Sequence, residues 1–284
     1  MFYDSALFLQ AHYFRWYMKL TAKLKKAILA DAEKCYPLEC CGVIVNKEYI
    51  PCRNISDSKD QFEIHHEDLA RAEDLGEIQA YVHSHPNASA QASELDLIQI
   101  ELHEKPWVIC AYPDVEFQVY KPCGYKAPLV GRNYIHGTQD CFAIVRDFYA
   151  RELGVHISDY SRDDLWWESK ENPSLYLDNF EKEGFIEVDI NYNYPDWVSG
   201  HGVLQFDKLE YGDVLLCRVG RTEHVNHAVI WLGNKSELKS EQADPCIGSA
   251  LILHHPYGRK SCREIFGLQW QERVVKVVRY AKNN

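Results

Sequence analysis

The sequence predicts a protein of the α+β class with two domains. The chain has 284 residues, a length that suits two domains of ordinary size. A segment rich in Pro and Gly, residues 121–128, divides it into two parts. Each part carries its own series of helix and strand patterns. We therefore expect domains at residues 18–124 and 125–284, with residues 1–17 as an N-terminal extension.

The composition argues against several classes of protein. Hydrophobic residues make up 46% of the chain and charged residues 26%, which is typical of a folded globular protein. The formal net charge is −11, whereas nonspecific binding of nucleic acid needs a basic face. We find no apolar run of the ~20 residues that span a membrane, and no basic start of a secretory signal peptide. Ten cysteines without a CxxC pair suggest reduced thiols in a reducing compartment.

Hydrophobic periodicity places three helices and four strands in the first domain. Leu20, Leu24, Ala27 and Ile28 recur at helical spacing, and the apolar run over residues 42–45 is typical of a buried strand. The predicted helices cover residues 19–34, 67–75 and 93–103, and the predicted strands cover 42–45, 78–85, 107–112 and 116–120.

The second domain is predicted to place one helix ahead of an antiparallel sheet. A helix over residues 140–153 is followed by a polar and aromatic stretch over residues 156–203. Strand-like runs come next, which is typical of an α+β domain, and they cover 213–219, 225–232, 249–254 and 272–280. The intervening stretch forms either a packed lid or core edge, or a partner-binding surface, and its aromatic residues include Trp166, Trp167, Tyr192, Tyr194 and Trp197.

The first candidate site begins with two histidines two residues apart. On a strand, His83 and His85 point to the same side of the sheet. Asp96 lies at the first turn of the next predicted helix, where it can add a carboxylate oxygen. Two histidines, one carboxylate and one water make a tetrahedral catalytic zinc site with an open position. We therefore expect Zn²⁺ as the cofactor.

Two further residues complete this candidate site. A zinc-bound water must lose a proton, and Glu39, at the start of a strand-like run, can take it as general base. Ser93 can donate a hydrogen bond to the oxyanion that develops. The alternative is a capping box, in which Ser93 and Asp96 only satisfy backbone N–H groups at the start of a helix.

The full spacing resembles the signature of the JAMM metalloproteases, which are built on MPN-type domains. The segment His-Ser-His-Pro at residues 83–86 is followed by Ser93 and Asp96, and Glu39 precedes a strand that contains glycine. The resemblance covers about residues 18–120 and implies an α/β/α domain. It also implies that Glu39 is the general base, that Ser93 supports the oxyanion, and that zinc is bound by His83, His85 and Asp96.

The second candidate site centres on a cysteine at the start of a helix. Asp140 is a good N-cap, and Cys141 begins a helix with a continuous apolar face. We expect the helix dipole and a nearby His⁺ to lower the pKa of Cys141 and favour the nucleophilic thiolate. The alternative is a small buried core residue, which is the more common role for a single cysteine.

Cys141 needs a general base and a group that orients this base. His227 starts a hydrophobic strand and is the best candidate for the base. His254 and His255 lie on the next predicted strand and point to opposite faces, so only one of them can orient His227. We prefer His254 as the third catalytic residue, with His255 as the other candidate.

This order of Cys, His and His resembles the NlpC-type cysteine peptidases, which cut the stem peptides of peptidoglycan. Tyr134 ahead of Asp140-Cys141, the Gly-Asp strand at 212–216 and the base strand at 227–233 all match that family. The resemblance covers about residues 129–284 and implies a papain-like α+β fold. Phe142-Ala143 replaces the usual Ser-Gly, and the segment between the second and third catalytic residues is longer than usual.

The fusion of the two domain types resembles the tail tip assembly protein K family of lambda-like phages. The resemblance implies a peptidase of tail tip assembly that acts on peptidoglycan stem peptides and associates with tail tip proteins. Its expected location is the host cytoplasm during assembly, or the virion tail with action in the periplasm. The alternatives are a cellular peptidase that processes a ubiquitin-like or sulfur-carrier protein, and a non-enzymatic tail assembly factor.

Overall fold

The computed structural model describes residues 19–281, except for 57, 59–60, 163–165, 169–174, 190–207, 235–237 and 241–249. The predicted extension at residues 1–17 lies outside the described residues, as do Tyr192, Tyr194 and Trp197. The chain forms two compact units, one that ends at Ala127 and one that begins at Pro128. In the described part of the chain, no helix combines the length and the apolar character needed to cross a membrane.

The first unit is built on a five-stranded sheet in the order β2-β1-β3-β4-β5. Its pairs are antiparallel except for β3 and β4, which run parallel. The strands are β1 Cys41–Val45, β2 Glu48–Cys52, β3 Ile78–Pro86, β4 Trp107–Tyr112 and β5 Glu116–Tyr120, and the helices are α1 Ala22–Cys35, α2 His66–Leu75 and α3 Glu94–His103.

The two faces of this sheet are covered by different helices. Leu24 and Ile28 of α1 pack against Ile44 of β1 on one face. On the other face, Ala72 of α2 packs against Val43 of β1. Alternate residues of a strand point to opposite faces, so β1 contributes to both layers of core. The predicted α/β/α architecture of this domain is confirmed.

Helix α3 is the crossover between the two parallel strands. Parallel neighbours cannot be joined by a tight turn, and their connection usually contains a helix. Strand β3 ends at Pro86, and α3 begins at Glu94 with Ser93 as its N-cap. The start of α3 therefore lies just beyond the end of β3 in the chain.

The second unit holds a six-stranded antiparallel sheet in the order β10-β9-β8-β7-β11-β6. The predicted α+β class with an antiparallel sheet is confirmed. The strands are β6 Phe185–Glu187, β7 Val214–Cys217, β8 His227–Gly233, β9 Leu251–His254, β10 Cys262–Ile265 and β11 Val274–Tyr280, and the helices are α4 Cys141–Phe148, α5 Leu175–Phe180 and α6 Leu268–Gln271.

The core of the second unit lies between α4 and the sheet. Ile144 and Phe148 of α4 are fully buried and belong to one cluster with Ala228 of β8 and Leu253 of β9. The predicted helix over 140–153 is α-helical only to Phe148, and the chain then widens into a π-helical turn, Tyr149–Leu153. Gly154 ends the turn at φ +71°, a left-handed conformation that glycine adopts at little cost.

Candidate active sites

His83, His85 and Asp96 meet at the end of β3 and the start of α3. The two imidazoles approach each other at 3.0 Å, Nε2 to Nε2. Asp96 Oδ1 lies 3.3 Å from Nε2 of His83, and Asp96 Oδ2 lies 3.4 Å from Nε2 of His85. One strand contributes two imidazoles to the same face, and the crossover helix adds a carboxylate.

These three donors fit zinc. Ligand atoms at about 2.0–2.1 Å from a tetrahedral zinc ion lie roughly 3.4 Å from one another, and the ligand atoms of His83, His85 and Asp96 all lie within 4.8 Å. His85 Nδ1 lies 2.9 Å from the carbonyl oxygen of Ser89, which places the ring proton on Nδ1 and leaves the Nε2 lone pair for a metal. Imidazole and carboxylate are ligands that zinc prefers.

The charges of His83 and Asp96 match the forms that bind a metal. Burial lowers the pKa of His83, which keeps its ring neutral. Burial opposes protonation of His85 as well, but its hydrogen bonds to Asp96 and to the Ser89 carbonyl, together with the nearby carboxylate charges, outweigh burial and raise its pKa. Without a metal, the His85 ring therefore favours its protonated form. Burial works against ionisation of Asp96, yet hydrogen bonds from both histidines hold the pKa of that carboxyl below its usual range. A neutral imidazole and an ionised carboxylate are the ligand forms.

Ser93 and Asp96 also form the capping box that the sequence offers as an alternative. Asp96 Oδ2 accepts the Ser93 backbone N–H at 2.7 Å, and the Ser93 hydroxyl oxygen accepts the Asp96 N–H at 3.1 Å. The same carboxylate faces the two histidines. The two interpretations are therefore compatible, because closing the helix end also aims the carboxylate.

Glu39 is buried beside this cluster, two residues before the start of β1. The register of the sheet places Cys41 of β1 opposite His83 of β3. Two hydrogen bonds join Ser84 of β3 to Cys40. The Ser84 hydroxyl accepts the Cys40 N–H at 2.8 Å, and the Ser84 N–H donates to the Cys40 carbonyl at 3.1 Å. These contacts fix the backbone immediately after Glu39.

A cavity of about 700 Å³ opens onto the cluster. Glu39, His85, Ser93 and Asp96 line it together. Part of its wall is hydrophobic and is formed by Phe62, Ile64, Leu69 and Trp107. Four of the five residues that the sequence singles out at this site therefore share one cavity.

In the second unit, Asp140 caps α4 and places Cys141 at its first position. One carboxylate oxygen, Oδ1, accepts the N–H groups of Phe142 and Ala143 at 3.0 and 2.9 Å. The other oxygen, Oδ2, accepts from Arg162 Nε at 2.7 Å. Both side chains of this ion pair are almost fully buried, so the helix start is held by a charge pair inside the domain.

The surroundings of Cys141 differ from the expected ones. Its Sγ lies 2.9 Å from Tyr176 Oη and 3.8 Å from the carbonyl oxygen of Asn226. Burial raises the pKa of Cys141 to about 12, with a further contribution from Asp140. The expected lowering of this pKa is therefore wrong for this structure, because loss of hydration outweighs the helix dipole. The resting form is a neutral thiol.

His227 and His254 meet on neighbouring strands. Nε2 of His227 lies 3.0 Å from Nδ1 of His254, and both rings are buried. His255 follows directly after β9, and its ring packs edge-on against Tyr134 with centroids 5.2 Å apart. His254 is thus the histidine that the structure brings to His227. Burial lowers the pKa of His227 well below its usual value, which keeps its ring neutral.

Cys141 and His227 line a common cavity of about 330 Å³. Three residues that the sequence did not single out take part in this site: Tyr176, Glu264 and Trp270. Glu264 stands two positions after Cys262, a spacing that places both side chains on one face of a strand. The strand itself was not predicted, and neither Tyr176 nor Trp270 carries a local signal of its role.

Comparison with known proteins finds relatives of both units. Residues 21–120 match the family of prokaryotic homologs of the JAB domain, and residues 131–279 match the NlpC/P60 family. A JAB1/MPN domain protein from Archaeoglobus fulgidus is 24% identical, with a TM-score of 0.25, over 37% of this chain and 89% of that chain.

Two relatives match most of the chain. The tail tip assembly protein K of Escherichia phage N15 is 35% identical over 89% of this chain and 93% of its own length. The tail tip assembly protein K of Escherichia phage lambda is 32% identical over 75% of this chain and 87% of its own length. Both units and their order are thus shared with full-length relatives, and the chain belongs to the tail tip assembly protein K family.

Proposed function

We propose that this chain acts in phage tail tip assembly as a peptidase with two active centres. The first is a zinc-dependent (iso)peptidase, and the second is a Cys-His endopeptidase of peptidoglycan stem peptides. The observation that carries the proposal is that each compact unit gathers its own set of catalytic residue types around its own cavity. Membership of the tail tip assembly protein K family supports the role in assembly.

In the first unit, His83, His85 and Asp96 would hold the zinc ion. A bound zinc ion supplies a Lewis acid and a coordinated water whose pKa falls to about 7. Glu39, which lines the same cavity, would accept a proton and pass it to the leaving amine. Ser93 donates its hydroxyl proton to Asp96 over 2.8 Å in the resting state, and this hydroxyl rotates when it stabilises an oxyanion.

In the second unit, the proton of the Cys141 thiol passes to His227 as the sulfur bonds to the scissile carbonyl carbon. The carbonyl π electrons move to oxygen, and their return expels the amine, which takes the proton from His227. Water then hydrolyses the thioester with His227 as the base. His254 holds the His227 ring by the 3.0 Å contact between the two rings.

The cavity at Cys141 supports a stem-peptide substrate. Its lining includes the aromatic side chains of Tyr134, Trp167 and Tyr257, and also Arg221. Stem peptides carry free carboxylates, and a guanidinium group pairs with carboxylates through two parallel hydrogen bonds. The match of residues 131–279 to the NlpC/P60 family supports the same substrate class.

Digestion of purified peptidoglycan tests the proposal. We expect the wild type and Glu39→Gln to release muropeptides, and Cys141→Ala to release none. All three proteins are expected to hold about one zinc ion per chain. Release by Cys141→Ala would contradict the assignment of the nucleophile, and a wild type that neither cuts nor binds zinc would contradict both centres.

A non-enzymatic assembly factor is the second candidate, and one observation favours it. The Cys141 thiol is buried and lies against Tyr176 rather than against an imidazole. Complementation of a phage that lacks this protein separates the candidates. If the protein is only a scaffold, Cys141→Ala and Glu39→Gln both restore infectivity, whereas loss of infectivity in either variant refutes the scaffold. A cellular processing peptidase is disfavoured, because both named relatives are phage tail proteins.

A further inference from the structure

We infer that Glu264 is a positioning residue of the second active centre, which sets the tautomer of His254 and, through it, that of the base His227. This inference rests on the proposed cysteine peptidase function of the second unit. The family resemblance provides three catalytic residues, Cys, His and His, and it leaves open what orients the third. The structure offers a fourth member on the neighbouring edge strand.

The contacts form an unbroken line of side chains. Nε2 of His227 lies 3.0 Å from Nδ1 of His254. On the far side of the same ring, Nε2 of His254 lies 2.9 Å from Glu264 Oε1. The pairing of β9 with β10 places Cys262 opposite His254, and Glu264 follows two residues later on the same face. The register of the edge strand therefore brings this carboxylate to His254.

The line of contacts determines where each proton lies. An ionised carboxylate only accepts hydrogen bonds, so Nε2 of His254 must carry a proton. In the arrangement that we infer, this is the only N–H of the His254 ring, and Nδ1 of His254 is an acceptor. His227 must then donate from its Nε2, and its Nδ1 keeps a free lone pair. Nδ1 of His227 is therefore the atom that takes the proton of the Cys141 thiol.

The charge of Glu264 supports this arrangement. The hydrogen bond from His254 lowers the pKa of the Glu264 carboxyl, which is therefore ionised at neutral pH. A carboxylate beside His254 also stabilises the positive charge that His227 shares with this ring once it has taken the thiol proton. His254 is completely buried, whereas Glu264 is partly exposed, so the charge of the inner ring is balanced by a group at the surface.

The Trp270 side chain packs against these three residues. Its ring stacks on His227 with centroids 5.4 Å apart and stands edge-on to His254 at 4.6 Å. Its indole N–H donates to Glu264 Oε1 at 2.5 Å. One side chain thus contacts all three members, which restricts rotation of both imidazoles and of the carboxylate.

A metal ion is the competing explanation for the same group. His254, Cys262 and Glu264 each place one ligand atom within 4.8 Å of the others, and Cys262 Sγ lies 3.5 Å from His254 Nε2. A metal would require both Cys262 and Glu264, whereas tautomer control requires Glu264 alone. Substitution of Cys262 therefore distinguishes the two.

The test compares the full-length wild type with Glu264→Gln, Glu264→Ala and the matched control Cys262→Ser. Nitrogen-15 NMR of the histidine rings reports each tautomer, whether or not the protein cuts peptidoglycan. We expect Nε2–H tautomers at His227 and His254 in the wild type, Glu264→Gln and Cys262→Ser, and a mixture in Glu264→Ala. In Glu264→Gln the amide oxygen still accepts from His254, but the charge is lost.

Kinetics on peptidoglycan stem peptides give the second measurement. We expect kcat to fall about 10- to 100-fold in Glu264→Ala and less in Glu264→Gln, with KM within about twofold of the wild type, because orientation of the base acts on the chemical step. Cys262→Ser should keep its kcat. An unchanged tautomer in Glu264→Ala overturns the inference, as does a parallel loss of kcat and bound metal in Cys262→Ser. A wild type that cuts nothing refutes the proposed function instead, and the NMR spectra still decide the role of Glu264.

Discussion

The Ser93 hydroxyl donates to Asp96 Oδ2 over 2.8 Å, while the Asp96 N–H donates back to the same hydroxyl over 3.1 Å. The two residues thus close the N-terminus of α3 and point the Asp96 carboxylate at His83 and His85. A local capping motif and a long-range cluster share one side chain. The stability of the helix and the geometry of the cluster are therefore linked.

Substitution of Ser93 should affect both properties. Ser93→Ala removes an N-cap, which costs about 1 kcal/mol of stability, and it releases one hydrogen bond to Asp96. We expect a lower free energy of unfolding for the first unit, measured with urea, and weaker zinc binding, measured by competition with a chelator. Ser89→Ala is the control, because the carbonyl of Ser89, and not its side chain, contacts His85. Equal behaviour of the two variants would contradict the link.

Zinc content should depend on the first unit alone. His85→Ala removes one of three ligands, so we expect the zinc content to fall from about one ion per chain to near zero after dialysis. Cys141→Ala keeps all three ligands and should retain the metal. Elemental analysis of both variants gives the answer. Retention of zinc by His85→Ala would show that the ion is bound elsewhere.

The reactivity of Cys141 should rise steeply with pH. Only the thiolate is alkylated, and burial raises the pKa of this thiol to about 12. Below its pKa, the thiolate fraction grows about tenfold per pH unit, so alkylation should accelerate continuously from pH 6 to pH 10. An ordinary thiol levels off above about pH 8.5. Mass spectrometry of the Cys141 peptide after iodoacetamide measures the rate, and a plateau near neutral pH would contradict a buried neutral thiol.

Loss of Arg162 should destabilise the second unit strongly. Arg162→Met leaves the buried carboxylate of Asp140 without its partner, and breaking such a pair costs about 3–5 kcal/mol. Arg146 is a matched control, since its side chain is more exposed and its ion pairs lie nearer the surface. Arg146→Met should cost about 1 kcal/mol or less. Circular dichroism during urea unfolding compares the two, and similar losses would refute a special role for the buried pair.

The strands that the sequence predicts are the central ones, together with β5. Their buried runs, such as that of β1, follow from packing on both faces of the sheet, which forces apolar residues into these positions. Three strands were missed, β2, β6 and β10, and each lies at the edge of its sheet. Edge strands bury less surface, so their sequences carry weaker apolar alternation. Glu48–Cys52, for instance, contains Pro51 and is only partly buried.

The sequence predicts those site residues that are brought together by their spacing within one strand or one helix start. His83, His85 and Asp96 come together through one strand and one helix start, which local rules describe. The contacts of Glu264, Trp270 and Tyr176 depend on tertiary packing between distant segments, so no local pattern reveals them. The pKa of Cys141 was misjudged for the same reason, because burial is a property of the folded domain.

Each compact unit contains every residue of its own candidate centre. The candidate zinc ligands and Glu39 precede Ala127, and the candidate cysteine centre with Glu264 follows Pro128. A single genetic crossover near this junction would therefore exchange one candidate centre and leave every residue of the other in place. The gene can in this way behave as two inherited modules, each open to loss, replacement or independent divergence as phages adapt to new hosts.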